Sequence, residues 1–158
     1  MSITLWITNK CNMNCKYCYV GDEKSNFSMP KLIIDKSIEF IFKNFGKYKD
    51  NVNDYLMVRF HGGEPLIEFN LIEDIVKKIN YRKKDKNFKF AITTNGTILD
   101  KDIILFLKNE IYDLTVSLDG NKKTQDTMRP FKDGNSSFEK VLKNAEILER
   151  EIGNIRIR

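Results

Sequence analysis

The chain has 158 residues, 41% of them hydrophobic, and a net charge of +5 at pH 7 that comes from Lys more than Arg. That is enough for one well-filled core and too little for two independent domains. No apolar run approaches the roughly 20 residues of a membrane helix, and the densest basic stretch, Lys77, Lys78, Arg82, Lys83, Lys84, Lys86 and Lys89, has only Tyr81 and Phe88 interleaved. It reads as a solvated helix end and loop, so neither a membrane nor a nucleic acid is an expected partner.

The first segment, Ile3 to Thr8, is strand-like and follows Met1 with no basic leader and no cleavage-site pattern. A signal peptide is therefore not expected, and the cytoplasm is the expected compartment. Cys11, Cys15 and Cys18 come next, and they are the only cysteines. Three closely spaced thiols make a poor disulfide framework and a sensible metal site in a reducing compartment. The CxxxCxxC spacing leaves an iron-sulfur cluster one protein ligand short, with one iron open to a small molecule. A zinc site completed by His61 is the bland alternative, and it would draw its fourth ligand from a different loop.

Beyond the cysteines, Ile34, Ile38, Ile41, Phe42 and Phe45 share a helical face closed by Gly46. A strand over Tyr55 to Phe60 leads into His61-Gly62-Gly63-Glu64-Pro65, and a helix follows with Leu71, Ile72, Ile75, Val76 and Ile79 on one side. The strand Phe88 to Thr94 ends in Asn95-Gly96, and Ile103, Phe106 and Leu107 mark a short helix. The strand Tyr112 to Leu118 runs into Asp119-Gly120, with Arg129 beyond it in MRPF. A capping box, Ser136 to Glu139, is expected to open the last helix, with Phe138, Val141, Leu142, Ala145 and Leu148 inward before Gly153. Asn154 to Arg158 alternates as a fifth strand.

Strand then helix, four times over, implies parallel strands joined by right-handed crossovers, an α/β fold. One strand face is apolar, as in Leu5 and Ile7, Val58 and Phe60, Phe90 and Ile92, or Leu114 and Val116. The other carries Thr4, Trp6 and Thr8; Arg59 and His61; Thr93 and Asn95; Asp113, Thr115, Ser117 and Asp119. A sheet covered by helices on both sides would be apolar on both. A polar face suits a barrel whose inside lines a ligand cavity, with its chemistry at the C-terminal strand ends.

The cysteine loop, the GGEP turn, the TNG turn and the SLDG segment, in this order and each at a strand end, resemble the radical S-adenosylmethionine (radical SAM) enzymes. The likeness is to the branch of anaerobic sulfatase maturases and peptide maturases, and it runs from Ile3 to the last residue. It implies that Cys11, Cys15 and Cys18 bind a 4Fe-4S cluster whose fourth iron takes the methionine end of SAM. It further implies cofactor contacts from Tyr17, Gly62, Gly63, Glu64, Asn95, Ser117 and Arg129. His61 sits at a variable position and reads as cavity-lining. Many relatives carry histidine where this chain has Gln125. The implied reaction is reductive cleavage of SAM to a 5'-deoxyadenosyl radical that takes a hydrogen atom from a peptide or protein side chain. An electron donor such as flavodoxin or ferredoxin is then a partner. The family barrel has six strands, and residues 1–158 supply five, so a partial (β/α) barrel truncated at about the fifth strand is expected. No catalytic residue of the substrate half is identified. The alternative is a cluster- and SAM-binding fragment, or a subunit completed by a C-terminal half or partner.

Overall fold

The computed structural model describes residues 2–21, 26–45, 55–84 and 86–158. The chain runs β1 (Ser2–Thr8), α1 (Lys31–Asn44), β2 (Leu56–Gly62), a 3-10 turn (Pro65–Glu68), α2 (Phe69–Arg82), β3 (Phe88–Thr94), α3 (Lys101–Glu110), β4 (Ile111–Val116), α4 (Lys122–Met128), α5 (Phe138–Ile152) and β5 (Arg156–Ile157). The strands form one sheet in the order β1-β2-β3-β4-β5, and every neighbouring pair is parallel. Among the described residues β1 and β5 remain its two edges, so the expected barrel is an open, partial one.

Register explains why one face buries. Leu5 pairs with Phe60, Phe60 with Ile92 and Ile92 with Leu114, which sets a continuous apolar row across four strands. The helices close over it with Ile34, Ile38 and Ile41 of α1, Ile72, Ile75 and Ile79 of α2, Ile103 and Leu107 of α3, and Val141 and Leu148 of α5. Each such side chain contributes about 1.5–3 kcal/mol when fully buried. The opposite face aligns Thr4, Arg59, Ala91 and Asp113 in one row. There Asp113 accepts from Arg59 at 3.3 Å and Arg156 at 3.5 Å.

Three boundaries differ from the sequence reading. β2 continues through Gly62, because Gly62 still pairs with Thr8 of β1. β4 ends at Val116, which leaves Ser117 and Asp119 in the loop beyond it. The fifth strand shortens to two exposed residues, since Asn154 and Ile155 serve to bring the chain from α5 to the sheet. Gly46 lies outside the described residues.

The capping box does not form, and an element absent from the sequence reading takes its place. Ser137 is the N-cap of α5 and makes no side-chain cap. Asp126 of α4 reaches across instead: Oδ1 accepts the backbone N–H of Ser137 and of Phe138, each at 3.0 Å, and Oδ2 accepts from Ser136 Oγ. Glu139 turns outward to Lys122. Desolvation would raise the Asp126 pKa, but the bonds from Ser136, Phe138 and Ser137 outweigh it and hold the carboxyl below its ordinary 3.8. A depressed carboxyl stabilises the fold above its unfolded pKa, and the benefit is lost as pH falls through the lower folded value. Asp126→Ala is expected to cost about 1–2 kcal/mol in denaturant unfolding at neutral pH, with Glu139→Ala nearly silent.

The basic stretch is engaged within the molecule. Lys77 pairs with Glu73, Lys78 with Asp35 and Asp74, and Arg82, Lys86 and Lys89 lie over the rings of Phe42, Phe45 and Tyr112. Among the described residues no helix is long and apolar enough to cross a membrane.

Candidate functional site

The C-terminal ends of β1, β2, β3 and β4 bring the singled-out residues to one cavity. It is lined by Cys11, Cys15 and Cys18 together with Tyr17, Gly62, Gly63, Asn95, Ser117 and Arg129, and also by Tyr19, His61 and Thr94. All three cysteines are half-buried and none is in a disulfide. Of the expected contacts, only Glu64 does not line it.

The cysteine loop is held from both sides. On one side Gly63 N donates to Thr8 O and Glu64 N to Lys10 O, each at 2.8 Å. A Cβ on Gly62 would lie 2.2 Å from Thr8 O, and one on Gly63 would lie 2.5 Å from Lys10 O. The two glycines are therefore required by the approach of two backbones, before any ligand is considered. On the other side Asn14 N donates to Pro130 O, Lys16 N to Met128 O and Lys132 N to Asn12 O. That lacing brings Arg129 up to the loop.

Glu64 is fully buried and does not line the cavity. Its Oε1 accepts from Leu66 N at 3.0 Å and Thr94 Oγ1 at 2.8 Å, and its Oε2 accepts from Asn95 N at 2.6 Å. The carboxylate welds the end of β2 to the end of β3. Any contact it makes to a ligand is through its backbone.

Asn95, 6% exposed, spends its side chain on the cysteine loop. Nδ2 donates to Asn12 Oδ1 at 2.9 Å and lies 3.8 Å from Cys11 Sγ, while Oδ1 accepts from Thr97. Met13 N also donates to Cys11 Sγ, at 3.4 Å. Donors to a ligating sulfur stabilise its thiolate and tune a cluster's potential.

Across the cavity, Arg129 Nη1 donates to Tyr17 OH at 3.1 Å, and Tyr17 OH donates to Asp119 Oδ2 at 2.5 Å. Burial and the bond to Asp119 raise the Tyr17 pKa over the opposing effect of Arg129, so the phenol keeps its proton. Burial works against the Arg129 charge, yet Tyr17, the Cys15 thiol and Asp119 raise its pKa on balance. Arg129 is 8% exposed, and its Nε is buried with no hydrogen-bond partner among the described residues. An orphaned donor of this kind costs about 1–3 kcal/mol unless a ligand takes it up.

Tyr19 and His61 went unassigned or barely assigned from sequence. Tyr19 OH donates to Gly62 O at 3.1 Å, and its ring stacks on His61 at 5.9 Å, with Trp6 edge-on to both. Burial lowers the His61 pKa and favours the neutral ring. The adjacency of Tyr19 to Cys18 was the available signal.

The donor set fits an iron-sulfur cluster. Among the described residues no group of three His, Cys, Asp or Glu is gathered closely enough for a single metal ion. Three thiols spread around one cavity, with donors to sulfur and an unpaired guanidinium nitrogen opposite, suit a larger group that leaves a position for an anionic ligand.

The fold and this strand-end site define an enzyme class. A family model described as the radical SAM superfamily matches residues 6–157, and the chain belongs to that superfamily of enzymes. It is 34% identical over 147 residues to an uncharacterized protein of Methanocaldococcus jannaschii, covering 93% of this chain and 48% of the relative. It is 29% identical over 150 residues to a cysteine-type anaerobic sulfatase-maturating enzyme of Clostridium novyi, covering 90% and 38%. The solved structure described as native anSMEcpe with bound AdoMet and Cp18Cys peptide superposes with a TM-score of 0.78 at 24% identity, over 99% of this chain and 42% of that one. The chain thus spans less than half the length of the relatives it matches.

Proposed function

We propose that residues 1–158 form the N-terminal part of a radical SAM catalytic core that holds a 4Fe-4S cluster on Cys11, Cys15 and Cys18 and binds SAM beside it. When bound, the cluster supplies the electron for reductive cleavage of SAM. The observation that carries the reading is the meeting of three half-buried thiols and a buried arginine with an unpartnered Nε in one cavity. Arg129 offers a charged fork to a carboxylate or ribose oxygen. Asn95 and Met13 steady the Cys11 sulfur. Gly62 and Gly63 present backbone to the ligand, Glu64 fixes that turn from behind, and Ser117 and Tyr17 line the remaining wall. His61, neutral, stands at the edge of the site on the polar face of the sheet.

Peptide or protein side chains are the proposed substrates, on the strength of the sulfatase-maturating relative and the peptide named in the solved neighbour. An electron donor such as flavodoxin or ferredoxin and a cytoplasmic, reducing location belong to the same proposal. Turnover is assigned to the whole protein, in which a C-terminal half or partner covers the open sheet. The test is SAM affinity, read by the change SAM makes in the EPR signal of the reduced cluster. Arg129→Ala is expected to weaken it by about 1.5–3 kcal/mol, the worth of a charged hydrogen bond. Unchanged affinity would remove Arg129 from the site.

A further inference from the structure

The cavity's charged wall is set by a residue that does not touch the cavity. Gln125 of α4 is fully buried. Its Oε1 accepts the backbone N–H of Asp119 at 2.8 Å, and its Nε2 donates to Ser137 Oγ at 2.9 Å. Ser137, also fully buried, passes its own proton on to the carbonyl of Arg129 at 2.6 Å. The backbone N–H of Arg129 returns to Gln125 O at 2.7 Å. One side chain therefore fixes Asp119 by its N–H and Arg129 by its C=O. Those two flank Tyr17, and the Arg129 Nη1 to Asp119 Oδ1 separation is 4.0 Å.

An amide serves here without rearrangement, as can a neutral imidazole with one acceptor and one donor nitrogen. The position needs an acceptor toward Asp119 and a donor toward Ser137 at once, and the hydroxyl of Ser137 has a single proton to give. An ionised glutamate has no donor, so Ser137 would have to turn its proton to it and release the Arg129 carbonyl. α4 has no apolar face to position it otherwise, for Gln125 is its one buried residue.

We propose that Gln125, acting through Ser137, is a positioning residue for the SAM site, holding Asp119 and Arg129 at the spacing that keeps the Arg129 guanidinium on the cavity wall. The proposal rests on the SAM-binding reading above and deepens it. It predicts that the site tolerates loss of fold stability elsewhere but not loss of this one chain of bonds.

The experiment compares reconstituted wild type with Gln125→Glu, Ser137→Ala and Asp100→Ala, measuring iron per chain, melting temperature, SAM affinity by EPR titration and the g values of the SAM-bound cluster. Ser137→Ala is the milder lesion should Gln125→Glu fold poorly. Expected are iron content like wild type, SAM affinity lowered about tenfold and altered g values in the Gln125 and Ser137 variants. Asp100→Ala should lose melting temperature with SAM affinity unchanged, because it removes the cap on Ile103 N at the start of α3 and shares no bond with Gln125 or Ser137. SAM affinity within twofold of wild type in Ser137→Ala would overturn the proposal. So would a fall in affinity that merely tracks melting temperature across all three variants. A wild-type protein that carries iron but shows no SAM response would overturn the SAM reading itself, a different result from either.

Discussion

Glu64→Ala is expected to be the most damaging single side-chain truncation in the site, lowering unfolding free energy by about 3–5 kcal/mol. The carboxylate sits in the interior with three donors on it, from Leu66, Thr94 and Asn95. Removing it strands all three, at about 1–3 kcal/mol each, offset in part because a buried charge goes too. Asn95 loses its backbone anchor, and with it the grip on Asn12 and Cys11, so iron incorporation should fall with stability. Burial raises the Glu64 pKa above its ordinary 4.5 despite the bonds from Asn95, Leu66 and Thr94. A raised carboxyl binds its proton more tightly in the folded state. Its contribution to stability therefore falls as pH rises from the ordinary value through the folded one. Glu64→Gln should abolish that slope and cost less than Ala, since the amide keeps an acceptor but sets an NH2 against a neighbouring donor. Denaturant unfolding across that pH range tests both variants.

Gly62→Ala carries the second large effect. Gly62 has φ +152°, and its added methyl would meet Thr8 O at 2.2 Å, a backbone atom that cannot rotate away. Relief requires β2 to part from the cysteine loop, at about 3 kcal/mol or more once overpacking and the backbone conformation are combined. Gly120→Ala is the control. It too has positive φ, but nothing lies within 4 Å of its Cβ, so it should cost only about 1–2 kcal/mol. Melting temperature and iron per chain after reconstitution separate the two: the Gly62 variant loses both, and the Gly120 variant keeps its iron.

The parts of this fold that announce themselves in the sequence are those carried by local periodicity and residue chemistry. Alternation in Leu5, Ile7, Val58, Phe60, Phe90 and Ile92 set the buried face, and the polar residues opposite placed the site at the strand ends. The cysteine spacing needed no structure to read. α4 was invisible because KKTQDTM has no apolar stripe, and what holds it is Asn121 capping Thr124 N and the single buried Gln125. The capping of α5 was misread for a related reason. Ser136 and Glu139 have the right local spacing, yet Asp126, ten residues before Ser136, wins the same donors through a tertiary contact. The resemblance makes the glycines of GGEP cofactor contacts, and the structure shows first a packing need, since the atoms nearest an added Cβ belong to Thr8, Asn9 and Lys10. The inward turn of Glu64 could not be read either, because its partners Thr94 and Asn95 are brought to it only by strand pairing.

The central claim is that three thiolates hold a cluster with one iron left for SAM. Mössbauer spectroscopy of the anaerobically reconstituted chain, with and without SAM, tests it most directly. The account predicts about four irons per chain, one of which becomes spectroscopically distinct when SAM is added, with Arg129→Ala needing more SAM for the same change. Stoichiometric zinc in place of iron, or four irons whose spectrum SAM leaves untouched, would contradict it.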